Sequence, residues 1–228
     1  MENNWLTEKD YINPFPYFYK TTQYYIAWCI LYVYLQRGFN LSLLLQLPPA
    51  KRNEGLSRIC SSLQASIISS WSMAYLLDII DYELWTHIIP ISASFGIFDL
   101  YIITIDYKNY KTKYIGYLTH HTLLIFGPLV MTAGNSKLVC QTYLFEITVP
   151  FLDIAWLLYN TGLNNTILFK VMSVISVIFF LVFRVLNNSY LVYQTMYNKD
   201  FIIMIIAIIF YYLNISWFVK LVKLFLKV

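Results

Sequence analysis

Long apolar stretches recur along the whole chain, and each predicts a helix. A stretch of roughly 20 helical residues crosses the hydrocarbon core of a bilayer. Seven helices are predicted, at about 22–36, 58–79, 88–105, 114–133, 138–159, 167–186 and 201–219. Runs such as Phe201–Tyr212 are continuously apolar and lack the strict alternation of membrane strands. The pattern predicts an all-α integral membrane protein, a bundle of about seven transmembrane helices, because backbone in lipid must satisfy its own hydrogen bonds.

The segment between the first two predicted helices has an apolar part that is too short to cross a membrane. It reads RGFNLSLLLQLPPAKRNEG, and Pro48–Pro49 is expected to stop any helix there. We therefore predict an interfacial or re-entrant segment. The organisation expected is a non-membrane segment at 1–21, a first helix with the interfacial segment at 22–52, a main membrane domain at 53–223 and a cytoplasmic tail at 224–228.

Composition agrees with this pattern and excludes a soluble domain. The chain is 59% hydrophobic and 12% charged, whereas soluble domains are near 45–50% apolar and about 25% charged. The net charge of +4 comes largely from loops, without a basic, aromatic-interleaved face for nucleic acid. The three cysteines lack the spacing of a disulfide framework or a zinc site and are expected to be small core residues.

The distribution of Lys and Arg predicts the orientation in the membrane, because the cytoplasmic side collects them. The richer side carries Arg37, Lys51, Arg52, Arg58, Lys108, Lys111, Lys113, Lys170, Lys220, Lys223 and Lys227. The other side carries Lys9, Lys20, Lys137, Arg184 and Lys199. The C-terminus is therefore expected to be cytoplasmic and the N-terminus not.

Ionisable residues within the predicted helices are the candidate functional groups, because charge in the membrane core costs several kcal/mol. Counting along the helices places Asp99, His120 and Asp153 at a similar depth, about 9 Å from the cytoplasmic side. At a shared level, acids can fix an imidazole tautomer or hold a proton, as a general base or nucleophile requires. A buried polar network that only joins helices is the alternative interpretation, and the sequence leaves both open.

Four further polar positions have more local interpretations. Glu146 lies four residues before Pro150, which predicts a kink with a free carbonyl beside the carboxyl group. Arg58 and Arg184 are interpreted as interfacial anchors. Adjacent residues on a helix point about 100° apart, so His120 and His121 are not expected to share a metal, and no metal or cofactor is predicted.

Six sequence motifs, in order, resemble those of the TLC-domain family. They are NEGLSRICSSLQA, SFGIFDL, YLTHH, LFEITVPFLDIAW, FRVLN and NISWFVKLVK, and the resemblance runs from about Asn53 to Lys223. This family contains ceramide synthases, translocating-chain-associating proteins and small TLC domain-containing proteins. The small members are the most similar, although Thr148 stands where they commonly have Ser and Gln64 where they commonly have His. Val149 stands in place of the second helix aspartate of ceramide synthases.

The resemblance implies a role in lipid metabolism or membrane lipid homeostasis, in the endoplasmic reticulum or a related endomembrane. In ceramide synthases a histidine of the pair is thought to carry the acyl group. By that resemblance His120 or His121 is the acyl acceptor or general base, and Asp99, Glu146 and Asp153 orient it or hold protons. Acyl-CoA from the cytoplasmic side and a sphingoid or other lipid amine are the implied substrates.

Two other functions are compatible with the sequence. A non-enzymatic member of the same family would bind lipid, tune membrane composition or escort cargo or nascent chains. A proton-coupled transporter is allowed by buried carboxylates, but the chain lacks the internal repeat typical of such proteins.

Overall fold

Seven helices make up most of the described part of the chain. The computed structural model describes residues 14–38, 45–80, 87–106, 108, 111, 114–131 and 136–226. Within these ranges no strand occurs, which confirms the all-α prediction. The helices are α1 (Pro14–Gly38), α2 (Pro49–Leu76), α3 (Ile88–Ile105), α4 (Tyr114–Met131), α5 (Ser136–Asn160), α6 (Ile167–Tyr197) and α7 (Phe201–Phe225).

Three helix boundaries differ most from the predictions. Helix α1 begins at Pro14 rather than near residue 22. Helix α2 begins at Pro49, so this proline starts a helix that it was expected to stop. Proline is favoured at the first helical position, where its missing N–H would be unpaired anyway. Helix α6 continues to Tyr197, well beyond residue 186. The predicted interfacial segment lies partly outside the described residues, and its end from Pro49 onward is helical.

Four helices in the described ranges are long and apolar enough to cross a membrane: α3, α5, α6 and α7, with 18, 25, 31 and 25 residues. The other three carry more polar residues. Helix α2 contains Arg58, Gln64 and a series of serines, and α4 contains His120 and His121. Many of these side chains are buried inside the protein, so α2 and α4 contribute part of its polar interior.

Helix α3 occupies the centre of the bundle, and α6 and α7 lie at its edge. Of the residues in α3, 72% are buried, compared with 22% and 17% in the most apolar windows of α6 and α7. Helix α3 packs against α1, α2 and α4. A Cβ atom on Gly96 of α3 would lie 2.9 Å from Cγ1 of Ile125 in α4. The glycine therefore allows α3 and α4 to approach closely.

The cysteine prediction is confirmed for two of the three residues. Cys60 and Cys140 are fully buried thiols of the core, and Cys29 is partly buried against it.

Helices α1 and α3 are also joined by a hydrogen bond outside the core. His87, directly before α3, lies 2.6 Å through Nδ1 from the hydroxyl of Tyr24. Partial burial and, to a smaller extent, the charge of Lys20 lower the pKa of His87. The ring is therefore neutral at pH 7, and a neutral imidazole can accept the phenol proton.

Helices α5 and α6 each depart from α-helical geometry at one place. Residues Leu144–Thr148 of α5 form a 3₁₀ turn that ends two residues before Pro150. The N–H of Val149 donates to the carbonyl of Glu146, so the prediction of a free carbonyl there is wrong. In an α-helix the donor to this carbonyl would be the N–H of residue 150, which proline lacks. The tighter 3₁₀ turn uses the N–H of the preceding residue, Val149, instead. In α6, residues Phe180–Leu186 form a π-helical stretch.

Candidate functional site

The first polar cluster joins Ser57 of α2, Asp99 of α3 and His121 of α4. Asp99 Oδ2 lies 2.8 Å from His121 Nε2, and the Ser57 hydroxyl donates to Oδ1 of the same carboxylate. His121 is 5% exposed, and its Nδ1 has no hydrogen-bond partner among the described residues. A carboxylate only accepts hydrogen bonds, so it selects the tautomer protonated at Nε2. The lone pair of Nδ1 is thus left uncommitted.

Two aromatic rings fix the plane of the His121 imidazole. The ring of Tyr117 stacks on it at an interplanar angle of 13°, with centroids 6.4 Å apart. The ring of Phe95 meets it edge-on, at 64°. The hydrogen bond from Nε2 to Asp99 and the contacts with the two aromatic rings together set the direction in which Nδ1 points.

The second cluster joins His120 of α4, Glu146 of the 3₁₀ turn and Arg184 of the π stretch. Glu146 Oε1 lies 3.8 Å from His120 Nε2 and 3.5 Å from Arg184 Nη2. Both separations exceed those of good hydrogen bonds. The His120 ring packs edge-on against Phe210 and Trp217 of α7, with centroids 6.0 and 5.4 Å away. The cluster is therefore enclosed by aromatic side chains but loosely paired within itself.

Arg184 is held inside the protein, so its interpretation as an interfacial anchor is wrong. Its side chain is 5% exposed. Nε donates to the Phe145 carbonyl at 2.9 Å and to the Thr148 hydroxyl at 2.8 Å. The 3₁₀ turn of α5 thus supplies both the acceptors for Arg184 and its carboxylate partner Glu146.

The third cluster joins Asp153 of α5 to α2. Arg58 Nη1 donates to Asp153 Oδ1 at 2.6 Å, and Ser62 donates to Oδ2 at 2.9 Å. Arg58 also pairs with Glu54 at 2.9 Å and stacks over Trp156 at 4.5 Å. Its charge is therefore neutralised within the bundle, which corrects the interpretation that it reaches lipid headgroups.

All five predicted site residues lie in these clusters. Asp99 contacts His121, Glu146 lies beside His120, and Asp153 pairs with Arg58. The rings of His120 and His121 have centroids 5.2 Å apart and join the first two clusters. Asp99 and Asp153 are close enough to interact electrostatically. The three clusters thus adjoin one another in the interior of the bundle.

Two serines of the site were missed by the sequence interpretation. Ser57 and Ser62 donate to the carboxylates of Asp99 and Asp153. Small residues recur every four positions on α2, at Ser57, Ser61, Ala65 and Ser69. This spacing marks a helix face that approaches neighbouring helices closely and was the available signal for Ser57.

Within the described ranges, no group of three His, Cys, Asp or Glu side chains has the arrangement of a metal site. No protein-family model matches the chain, and neither a curated protein nor a solved structure matches it.

Proposed function

We propose that the protein is a membrane enzyme of lipid metabolism, similar to TLC-domain enzymes, that transfers an acyl group from acyl-CoA to a lipid amine. The observation that carries this proposal is the Asp99–His121 pair, with 2.8 Å between Oδ2 and Nε2 and an unpartnered Nδ1. A histidine oriented in this way by a carboxylate is the arrangement that general-base and nucleophilic catalysis use.

The chemistry can follow either of two routes at His121. As a nucleophile, Nδ1 bonds to the thioester carbonyl carbon, the C–S bond breaks, and CoA leaves as its thiolate. The amine nitrogen then attacks the acyl carbon, the bond to histidine breaks, and the amine proton passes to the released imidazole. As a general base, Nδ1 takes the amine proton while the amine nitrogen attacks the thioester carbonyl carbon directly, the C–S bond breaks and CoA leaves as its thiolate. In both routes Asp99 stabilises the imidazolium charge.

The setting proposed for this reaction is a seven-helix bundle in the endoplasmic reticulum or a related endomembrane. All seven helices then cross the bilayer, and the C-terminus faces the cytoplasm, where acyl-CoA is available. The acyl chain is expected to lie among the helices, where apolar surface surrounds the polar clusters.

The orientation can be tested with single cysteines introduced in a Cys29→Ser/Cys60→Ala/Cys140→Ala background. In sealed microsomes whose cytoplasmic face is outside, a membrane-impermeant maleimide is expected to label Lys170→Cys and Lys223→Cys without detergent. Lys199→Cys, on the opposite side, should react only after detergent is added. The reverse labelling pattern would contradict the proposed orientation.

The reaction can be tested by replacing both histidines of the pair. The variant His120→Ala/His121→Ala is expected to lose acyl transfer from palmitoyl-CoA to a long-chain alkylamine, because no imidazole remains beside Asp99. The N-acyl product and any acylated histidine peptide are measured by mass spectrometry. His87→Ala is the matched control, since this histidine contacts Tyr24 away from the clusters, and it should retain the wild-type rate.

A folded double variant with unchanged acyl transfer would refute the enzymatic proposal. The alternative is a non-enzymatic, lipid-binding protein of the same kind. It is favoured by the Arg58–Asp153 pair, which links α2 to α5 without contributing an obvious reactive atom. Intact lipid that copurifies with both wild type and double variant, without any acyl adduct or product, would support that alternative.

A further inference from the structure

Asn214 is a buried amide in the middle of an apolar helix. The residue is 1% exposed, and its Nδ2 has no hydrogen-bond partner among the described residues. Burying an amide donor without a partner costs free energy. Such a group is therefore available to a ligand where its position brings it to a candidate site.

The packing of α7 places Asn214 beside the second cluster. Phe210 and Trp217, which flank it by four and three residues, both contact the ring of His120. Residues three and four apart share a helix face, so Asn214 lies on the face that is turned toward His120.

The pairing of α6 with α7 gives the same position independently. Residues 198–200 turn the chain between these helices, and Phe180 stacks on Phe218 with centroids 6.0 Å apart. Arg184 follows Phe180 by four residues in α6, and Asn214 precedes Phe218 by four residues in α7. Because the two helices are antiparallel, both steps run in the same direction from the ring contact. The amide is therefore level with the guanidinium group that pairs with Glu146.

The second cluster has other hydrogen-bonding atoms that are not used within the protein. His120 Nδ1, like Asn214 Nδ2, lacks a partner among the described residues. Glu146 stands 3.8 Å from His120 and 3.5 Å from Arg184. In the first cluster, by contrast, the carboxylate and imidazole are 2.8 Å apart. The second cluster thus has unused hydrogen-bonding capacity next to the oriented histidine.

We propose that Asn214 Nδ2 donates a hydrogen bond to the carbonyl oxygen of the acyl group while that group is transferred. This inference rests on the proposed acyl transfer. When a nucleophile bonds to the thioester carbon, the electron pair of the C=O bond moves to oxygen, and the N–H group stabilises that negative charge. The C=O bond then re-forms, the C–S bond breaks and the CoA thiolate leaves. Donors placed at the developing oxyanion act in this way in acyl transfer.

The remaining donors nearby are less suited to this role. Arg184 Nε is occupied by the Phe145 carbonyl and the Thr148 hydroxyl, and Nη2 faces Glu146. Asn214 Nδ2 is uncommitted, carries no charge and lies on the face of α7 that is turned toward His120. Its removal should therefore affect the transition state more than the binding of the substrate.

The test compares Asn214→Ala and Asn214→Leu with the wild type in transfer from palmitoyl-CoA to a long-chain alkylamine. Loss of one oxyanion donor is expected to lower kcat by about 10²–10³-fold, with a much smaller change in KM. Leucine keeps the size of the side chain, so its melting temperature in detergent should stay near that of the wild type. Asn188→Ala is the matched control, because Asn188 is a fully buried amide of α6 whose Nδ2 and Oδ1 also lack partners among the described residues.

The outcomes separate this inference from the function on which it rests. Low kcat in both Asn214 variants, with a wild-type rate in Asn188→Ala, supports the role of the amide. A wild-type kcat in the Asn214 variants overturns that role and leaves the acyl transfer intact. Equal losses at Asn214 and Asn188, accompanied by lower melting temperatures, also overturn it, because both amides would then serve packing. Absence of transfer by the wild type overturns the proposed function and this inference with it.

Discussion

Asp99→Asn is expected to lower the rate of acyl transfer by about 10⁴-fold, as replacement of the carboxylate does in other histidine-based catalysts. The amide of asparagine can donate to His121 Nε2, where the carboxylate could only accept. Such a bond would place the ring proton on Nδ1 and remove the lone pair that the reaction requires. The measurement is the initial rate of N-acyl product formation from palmitoyl-CoA and an alkylamine.

Ser57→Ala provides the control for this substitution. It removes the hydrogen bond to the other carboxylate oxygen, Oδ1, and leaves the Asp99–His121 contact. A modest decrease is therefore expected. Retention of most of the wild-type rate by Asp99→Asn, or an equal loss in both variants, would show that tautomer selection at His121 is not the role of Asp99.

Arg184→Leu is expected to destabilise the protein by about 3–5 kcal/mol, because removing one member of a buried ion pair leaves the other charge uncompensated. Here Glu146, 3.5 Å from the guanidinium group, would lose its cation. The Phe145 carbonyl and Thr148 hydroxyl would lose their charged donor. The unfolding transition in detergent micelles, followed by circular dichroism, gives the change.

The double variant Arg184→Leu/Glu146→Leu tests whether the lost pairing is the cause. Replacing both partners by apolar side chains removes the unpaired charge and should recover much of the stability. If the double variant is no more stable than Arg184→Leu alone, the destabilisation arises from the lost hydrogen bonds of the 3₁₀ turn instead.

All seven helices were predicted from their apolar content, and four of them are long and apolar enough to cross a membrane. Their ends were harder, since the terminal turns of α1 and α6 are rich in Tyr, Asn, Gln and Thr and look like loops. The residues of Asn187–Tyr197 are helical in spite of this composition, because residues such as Leu191 and Thr195 are buried against neighbouring helices. Tertiary packing thus decides the helix limits that local hydropathy misses.

The same boundary error explains why Arg184 was misinterpreted. With a predicted helix end at 186, the arginine fell near a membrane surface. Because α6 runs to Tyr197, Arg184 lies well inside the helix, where its charge must be paired. The depth argument selected Asp99, His120 and Asp153, and each lies in a different one of the three clusters. It could not tell which histidine meets Asp99, because that depends on the rotation of α4 and not on depth.

The π stretch of α6 also constrains the spacing of the chain. Its i→i+5 hydrogen bonds hold about one residue more per turn than α-helical bonds do. Deleting one residue from Phe180–Leu186 would remove this extra residue and let the stretch become α-helical, with the flanking segments near their present orientation. A single deletion in the α-helical part of α6 before it would instead rotate the following segment by about 100° relative to the preceding one. Asn187, which donates to the Gln141 carbonyl at 2.8 Å, would then turn away from α5, and Asn188 would leave the interior. The π stretch is therefore the part of α6 where the loss of one residue should change the helix packing least.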